Sequence, residues 1–358
     1  MRARRLLLPA LLAAVLGATV VGAAGLPAAT GQASGATAFA PLDRPGPALS
    51  VPAAKLRSAL ACHGNPRTGG EPVLLSPATS VTPQQDYSWT YEKAFSAQHR
   101  YWCAVTMPDR TFGDIETAAE YLVSATRTMH RRTGRRIAIL GHSQGGMSMR
   151  WMLRFWPDTR AMVDDVIGMA GSNHGTESLP SCRPGLTTCP PAVWQQLAGS
   201  RFVTALNSGA ETFAGISYTE IYTHLDEVVT PNATAADSSS SLHTGRGRIT
   251  NVAVQDICPA DTSEHLMVGT IDPATYALVM DALGHRGPAD PARIDRSVCL
   301  HPTMPYVDPS DVSTYLQPLE ALPGLVSTPL PYVSLVGAPE VAAEPRLRCY
   351  VFAAGCAA

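Results

Sequence analysis

Gly141-His142-Ser143-Gln144-Gly145 sets a serine between two glycines at a spacing that suits a nucleophile. Four apolar residues, Ile137 to Leu140, run straight into it, and residues 144–155 read as a helix that stops before Pro157. Strand, sharp turn and helix in that order make a nucleophile elbow with Ser143 at its tip. So tight a turn brings the residues two before and two after the serine together, where Cβ atoms would clash; glycine removes them. The turn also aims the Ser143 hydroxyl into the open and sets backbone N–H groups at a helix N-terminus, where they can stabilise an oxyanion. The bare G-x-S-x-G pattern is weak in a chain with 29 glycines. The apolar run before it and the helix after it separate it from a Gly-rich turn carrying an inert serine.

A serine nucleophile needs a base to take its proton and an acid to orient that base. After an elbow of this kind they follow in the order Asp/Glu, then His. Asp226 comes after the strand-like run 218–222 and before Val228-Val229-Thr230-Pro231, at the C-terminal end of a strand, where sites gather in open α/β sheets. His265 follows the next strand on a loop; His285 and His301 lie further along and fit the order as well. The bland readings are a solvated carboxylate for Asp226 and a surface imidazole for His265.

The elements that must position these residues alternate. Short strands are expected over 71–76, 101–106, 163–170, 218–222 and 249–257. Helices are expected over 114–132, with Asp114 as cap and Gly134 as stop, over 144–155 and over 192–206. That alternation argues an α/β fold with a mainly parallel sheet and helices on both faces. Residues 176–191 are polar and proline-bearing and read as a surface excursion; 232–241 reads as a Ser/Ala-rich loop. Residues 302–358 are proline-rich with one helix expected over 310–325. There is no internal repeat.

Composition bounds the rest. The chain has 358 residues, 45% hydrophobic and 16% charged, which suits one large domain. A net charge of −2 gives no sign of nucleic acid or an anionic membrane surface as partner. Met1 to Arg5 is a basic segment and residues 6–24 are apolar, so residues 1–35 are expected to be a secretory signal and leader, with chain flexibility continuing up to Pro47; a retained anchor is the other reading. No later segment looks long and apolar enough to span a bilayer. Eight cysteines, Cys62, Cys103, Cys182, Cys189, Cys258, Cys299, Cys349 and Cys356, all follow the signal and imply disulfides in an exported chain. No C-x-x-C or H-x-x-x-H pair supports a metal site, and no metal or organic cofactor is expected.

From about residue 56 to 302 the chain resembles the secreted lipases related to Candida antarctica lipase B, including the bacterial class 2 lipases. The likeness rests on Pro72-Val73-Leu74-Leu75-Ser76-Pro77-Ala78-Thr79, on Ser143-Gln144-Gly145-Gly146, on Ala192-Val193-Trp194-Gln195-Gln196, on Asp226-Glu227-Val228-Val229 and on His265. Val-Trp-Gln-Gln has no generic catalytic meaning, so its agreement singles out this family. The resemblance implies an α/β-hydrolase fold over residues 48–358. It implies hydrolysis of acylglycerols or other carboxylic esters, and an oxyanion hole made by the backbone of Gln144 and by Thr79, whose hydroxyl adds a donor. It implies the pairs Cys62–Cys103, Cys258–Cys299 and Cys349–Cys356, which leaves Cys182 and Cys189 to bridge each other.

Two departures stand out. The yeast member's elbow has tryptophan where this chain has His142, nearer the general bacterial pattern, so His142 is expected to line the cleft and shape selectivity. A glycine of the oxyanion loop is Ala78 here, tolerable only with a negative φ. The reading is a secreted, monomeric serine ester hydrolase without stable membrane insertion. A polyester depolymerase or short-chain esterase on the same machinery is the nearest rival, and a non-catalytic surface binding protein is the rival of another class.

Overall fold

The computed structural model describes residues 38–178, 182–315 and 338–356. The expected signal segment, and the part of the expected helix 310–325 beyond residue 315, lie outside these residues. Among the described residues nine strands run in chain order: β1 Leu60–His63, β2 Val73–Ser76, β3 Trp102–Val105, β4 Ile137–His142, β5 Val163–Met169, β6 Ser217–Tyr222, β7 Asn232–Thr234, β8 Asp237–Ser238 and β9 Arg248–Ala253. The α-helices are α1 Ala53–Ser58, α2 Pro83–Asp86, α3 Tyr91–Ala97, α4 Ile115–Thr133, α5 Gln144–Phe155, α6 Pro191–Gln195, α7 Arg201–Leu206, α8 Val254–Ile257, α9 His265–Thr270, α10 Pro273–Gly284 and α11 Pro309–Tyr315.

Seven strands form one sheet in the order β1-β3-β2-β4-β5-β6-β9. All its pairings are parallel except that of edge strand β1 with β3. Alternation sorts the side chains of β4: Ile137 and Ile139 join the apolar layer under α4 and α5, whereas Ala138 and Leu140 join the layer under α10. Helices therefore cover both faces, as the alternating pattern predicts. In register, Ser76 of β2 stands beside Gly141 of β4, and His142 beside Met169 of β5. The loops after β2 and β4 thus open side by side, where the strand order reverses.

Local signals act as expected in α4. Asp114 caps it by accepting the Glu116 N–H, and Gly134 ends it at φ 64°. Elsewhere the elements differ from expectation. The single helix expected over 192–206 is two, because Ser200 caps a fresh start by accepting the Val203 N–H. The strand expected over 249–257 gives way after Ala253 to α8, whose start is capped by Asp256 accepting the Ala253 N–H. The expected loop 232–241 contains the small β7–β8 hairpin. Residues 38–47, expected to be flexible, are laid on the domain: Ala40 N–H donates to Val351 O at 2.8 Å, and the Trp156 indole to Pro47 O at 2.9 Å. One helical stretch among the described residues, 265–284, is long and apolar enough to cross a membrane, contrary to expectation. It is α9 and α10, mostly buried in the core, where an apolar helix also belongs.

The four disulfides are Cys62–Cys103, Cys182–Cys189, Cys258–Cys299 and Cys349–Cys356. The first fastens edge strand β1 to β3. The second closes a short loop whose cysteines pack on Trp194, while Cys189 pairs through its backbone with Val341.

Candidate active site

Ser143 sits between β4 and α5 at φ 53° and ψ −120°, a region a side chain enters only when its surroundings force it. The forcing contacts are visible. A Cβ on Gly141 would lie 2.6 Å from the Gly145 carbonyl carbon, and one on Gly145 would lie 2.2 Å from Ser76 O. The elbow is therefore packed against the end of β2 as tightly as backbone allows. Gln144 opens α5, so its N–H is among the helix-start donors that no earlier turn can satisfy.

Asp226 and His265 meet. Asp226 Oδ2 lies 3.0 Å from His265 Nδ1, and Oδ1 accepts the N–H groups of Val228 at 3.0 Å and Val229 at 2.7 Å. The two loops are also tied directly, by the Thr223 hydroxyl donating to Ser263 O at 2.7 Å. His265 is the first residue of α9 and not a loop residue; Glu264 caps that helix by accepting the Leu266 and Met267 N–H groups. The other histidines that fit the chain order go elsewhere. His285 is half-exposed and bonds to Asp281 O at the end of α10, and His301 is exposed.

Burial alone would make the His265 imidazolium unfavourable. Asp226, followed by Glu227 and Glu264, outweighs it and raises the imidazole from 6.5 to about 9. Burial, with Glu227 adding to it, also pushes the Glu264 carboxyl up to about 7.

The loop after β2 lies beside the elbow. Ala78 keeps a negative φ, and the left-handed position falls on Ser80, at φ 72°. The Thr79 hydroxyl donates to Gln144 Oε1 at 2.8 Å, and Gln196 Nε2 donates to Thr79 Oγ1 at 3.0 Å. Ser172, after β5, donates to Gln196 Oε1 at 3.0 Å. Gln196 and Ser172 were not singled out as site residues by sequence reasoning. The signal for Gln196 was present in Val193-Trp194-Gln195-Gln196, where it marks the family without disclosing a contact.

His142 departs from expectation. Its ring is 1% exposed, bonded through Nδ1 to Asp86, and set 5.4 Å from the His265 ring between centroids. A Cβ on Gly269 of α9 would lie 2.1 Å from its Nε2. The ring fills the interior between β4 and α9, with Nδ1 held by Asp86 and Nε2 buried beside Gly269.

Comparison with known proteins finds relatives among the lipases. The profile of the family described as lipase (class 2) matches residues 122–258. Lipase B of Pseudozyma antarctica is 32% identical over 218 residues, covering 59% of this chain and 61% of that protein. The chain thus spans about three fifths of the length of that relative. The crystal structure of Aspergillus fumigatus lipase B is similar at 30% identity with a TM-score of 0.74, covering 86% of this chain and 74% of that one.

Proposed function

The chain belongs to the class 2 lipase family, and from that premise we propose that it is a secreted serine hydrolase of carboxylic esters, acylglycerols among them, with Ser143, His265 and Asp226 as its triad. The observation that carries the reading is the 3.0 Å contact between Asp226 and His265, on segments that follow parallel strands of the same sheet as the Ser143 elbow.

In this mechanism Nε2 of His265 takes the Ser143 proton as Oγ attacks the ester carbonyl. Asp226 holds the imidazole by Nδ1 and stabilises its charged form. The carbonyl oxygen gains negative charge, which the N–H groups of Thr79 and Gln144 and the Thr79 hydroxyl receive. Gln196, donating to Thr79 Oγ1, leaves the hydroxyl proton free to turn from Gln144 Oε1 toward that oxygen. Collapse expels the alcohol, which takes its proton from His265, and leaves an acyl group on Ser143. Water, deprotonated by His265, then releases the acid.

Four disulfides support export to an oxidising compartment. The deciding experiment is hydrolysis of p-nitrophenyl esters from acetate to palmitate, with Ser143→Ala alongside. Turnover in the parent and none in the variant is expected. Equal rates in both would remove the serine from the mechanism, and the chain length of the best ester separates a lipase from a short-chain esterase.

A further inference from the structure

Two side chains that take no part in this reaction stand directly behind it. Asp86 closes α2 with no exposed surface, and His142 closes β4. The two oxygens of Asp86 hold different parts of the site. Oδ2 accepts the Ala78 N–H at 2.9 Å, and Oδ1 lies 2.8 Å from His142 Nδ1. Ala78 immediately precedes Thr79, and His142 immediately precedes Ser143. One buried carboxylate therefore grips the residue before the oxyanion donor and the residue before the nucleophile. Bonds of this kind are charge-assisted and gain strength where water is excluded.

The next residue repeats the link. The Tyr87 hydroxyl donates to Ser76 O at 2.7 Å and accepts the His142 N–H at 3.2 Å. Asp86 and Tyr87 together tie the end of β2 to the end of β4, which no backbone ladder reaches beyond the Ser76–Gly141 pair. The His142 ring carries the connection on to α9, since it packs against Gly269, four residues after His265.

We propose that Asp86 is a positioning residue for ester hydrolysis, fixing the spacing between the Thr79 N–H and Ser143 through Ala78 and His142. This rests on the reading of Ser143 as nucleophile and Thr79 as oxyanion donor. The chemical reason is tolerance: a misplacement of about 1 Å at a reacting centre costs on the order of a hundredfold in rate. Thr79 and Ser143 lie on separate loops, so some group must set their distance. The pairing also assigns a use to His142 in this elbow, since only a side chain with a donor at that point completes the clamp.

The test compares the parent with Asp86→Asn, Thr79→Val and the double variant on p-nitrophenyl butyrate, with inhibition by an alkyl boronic acid, which binds Ser143 as a tetrahedral adduct. An amide can accept one of the two N–H groups but not both. We expect Asp86→Asn to lower kcat by roughly 10- to 100-fold, leave KM within about twofold, and weaken the boronic acid in step with kcat. The double variant should lose at least fivefold less than the product of the single losses, because both changes act on one donor loop. A kcat for Asp86→Asn within twofold of the parent, or losses that multiply fully, overturns the proposal. Should that variant not fold, His142→Asn, whose amide can replace the Nδ1 donor, is compared with His142→Leu. A tenfold advantage for the amide supports the clamp, and equal rates overturn it. A parent without esterase activity overturns the reading of the site and this inference with it; an active parent beside an unaffected Asp86→Asn overturns this inference alone.

Discussion

Asp226 Oδ2 faces His265 Nδ1 at 3.0 Å while Oδ1 of the same carboxylate is held by two backbone N–H groups, from Val228 and Val229. The backbone thus aims the carboxylate independently of the histidine, and the side chain cannot turn away when the imidazole changes charge. Five consequences of the site can be measured.

The rate should climb through the alkaline range. A base must be neutral to act, and His265 is raised from 6.5 to about 9: burial opposes the charge, but Asp226, Glu227 and Glu264 outweigh it. The kcat/KM for an uncharged ester is therefore expected to rise with pH to a midpoint near 9. Glu227→Gln, which removes one of the raising charges, should move that midpoint down. The same shift has a stability side. A raised imidazole pKa stabilises the fold fully below pH 6.5, and that contribution fades as pH rises through about 9. A limb centred below pH 7 and indifferent to Glu227→Gln would contradict this.

Ser143→Ala, His265→Ala and Asp226→Ala should each cut turnover on the order of 10⁴-fold or more. Circular dichroism should show the fold retained in all three. Near-full activity in Asp226→Ala would move the acid elsewhere. Asp256 and Asp261, which accept the N–H groups of Ala253 and Ser263, would then be the next carboxylates to replace.

Thr79→Val keeps the backbone donor and removes the hydroxyl. Loss of one oxyanion donor typically costs about 10²–10³ in kcat, and a fall of that order with little change in KM is expected. Gln196→Leu, which keeps the Thr79 hydroxyl but removes its donor along with the bonds of Gln196 to Ser172 and Gln144, should cost less. If Gln196→Leu proves the more damaging of the two, the hydrogen-bond chain runs the other way.

Activity should rise smoothly as substrate passes its solubility limit. Cys182–Cys189 closes a short ring, anchored on Trp194 and on Val341. Such a ring removes roughly 2–3 kcal/mol of chain freedom from the unfolded state, and Pro184, Pro190 and Pro191 stiffen it further. A segment held in this way is not free to swing as a large lid. A sharp jump in rate on emulsified tributyrin would show that something over the entrance moves.

Gly145→Ala should be severely damaging. Its Cβ would stand 2.2 Å from Ser76 O, and backbone on both sides leaves nothing flexible to yield. Overpacking of this kind costs about 1–3 kcal/mol or more, so a lower melting temperature together with lost turnover is expected. A variant that melts with the parent would mean that the elbow and β2 lie further apart than described.

Much of this protein is written in short stretches of its sequence. Gly141 before Ser143, the apolar run into it, and the Asp114 and Gly134 caps of α4 act on residues a few positions away, so sterics and hydrogen bonding between neighbours fix them. The alternation of strand and helix is local in the same way and is enough to give the fold class. What only the tertiary structure decided involves distant partners. The chain order left His265, His285 and His301 open, and the meeting of β6 and β9 in one sheet brought His265 to Asp226, 39 positions away. His142 reads in sequence as a residue beside the nucleophile and therefore in the cleft. Its direction was set by Asp86, 56 positions earlier, and by the space over Gly269. Gln196 and Thr79, 117 positions apart, bond for the same reason. Periodicity and turn chemistry are properties of consecutive residues, whereas the placing of a buried polar side chain depends on which remote donor or acceptor the finished core brings to it.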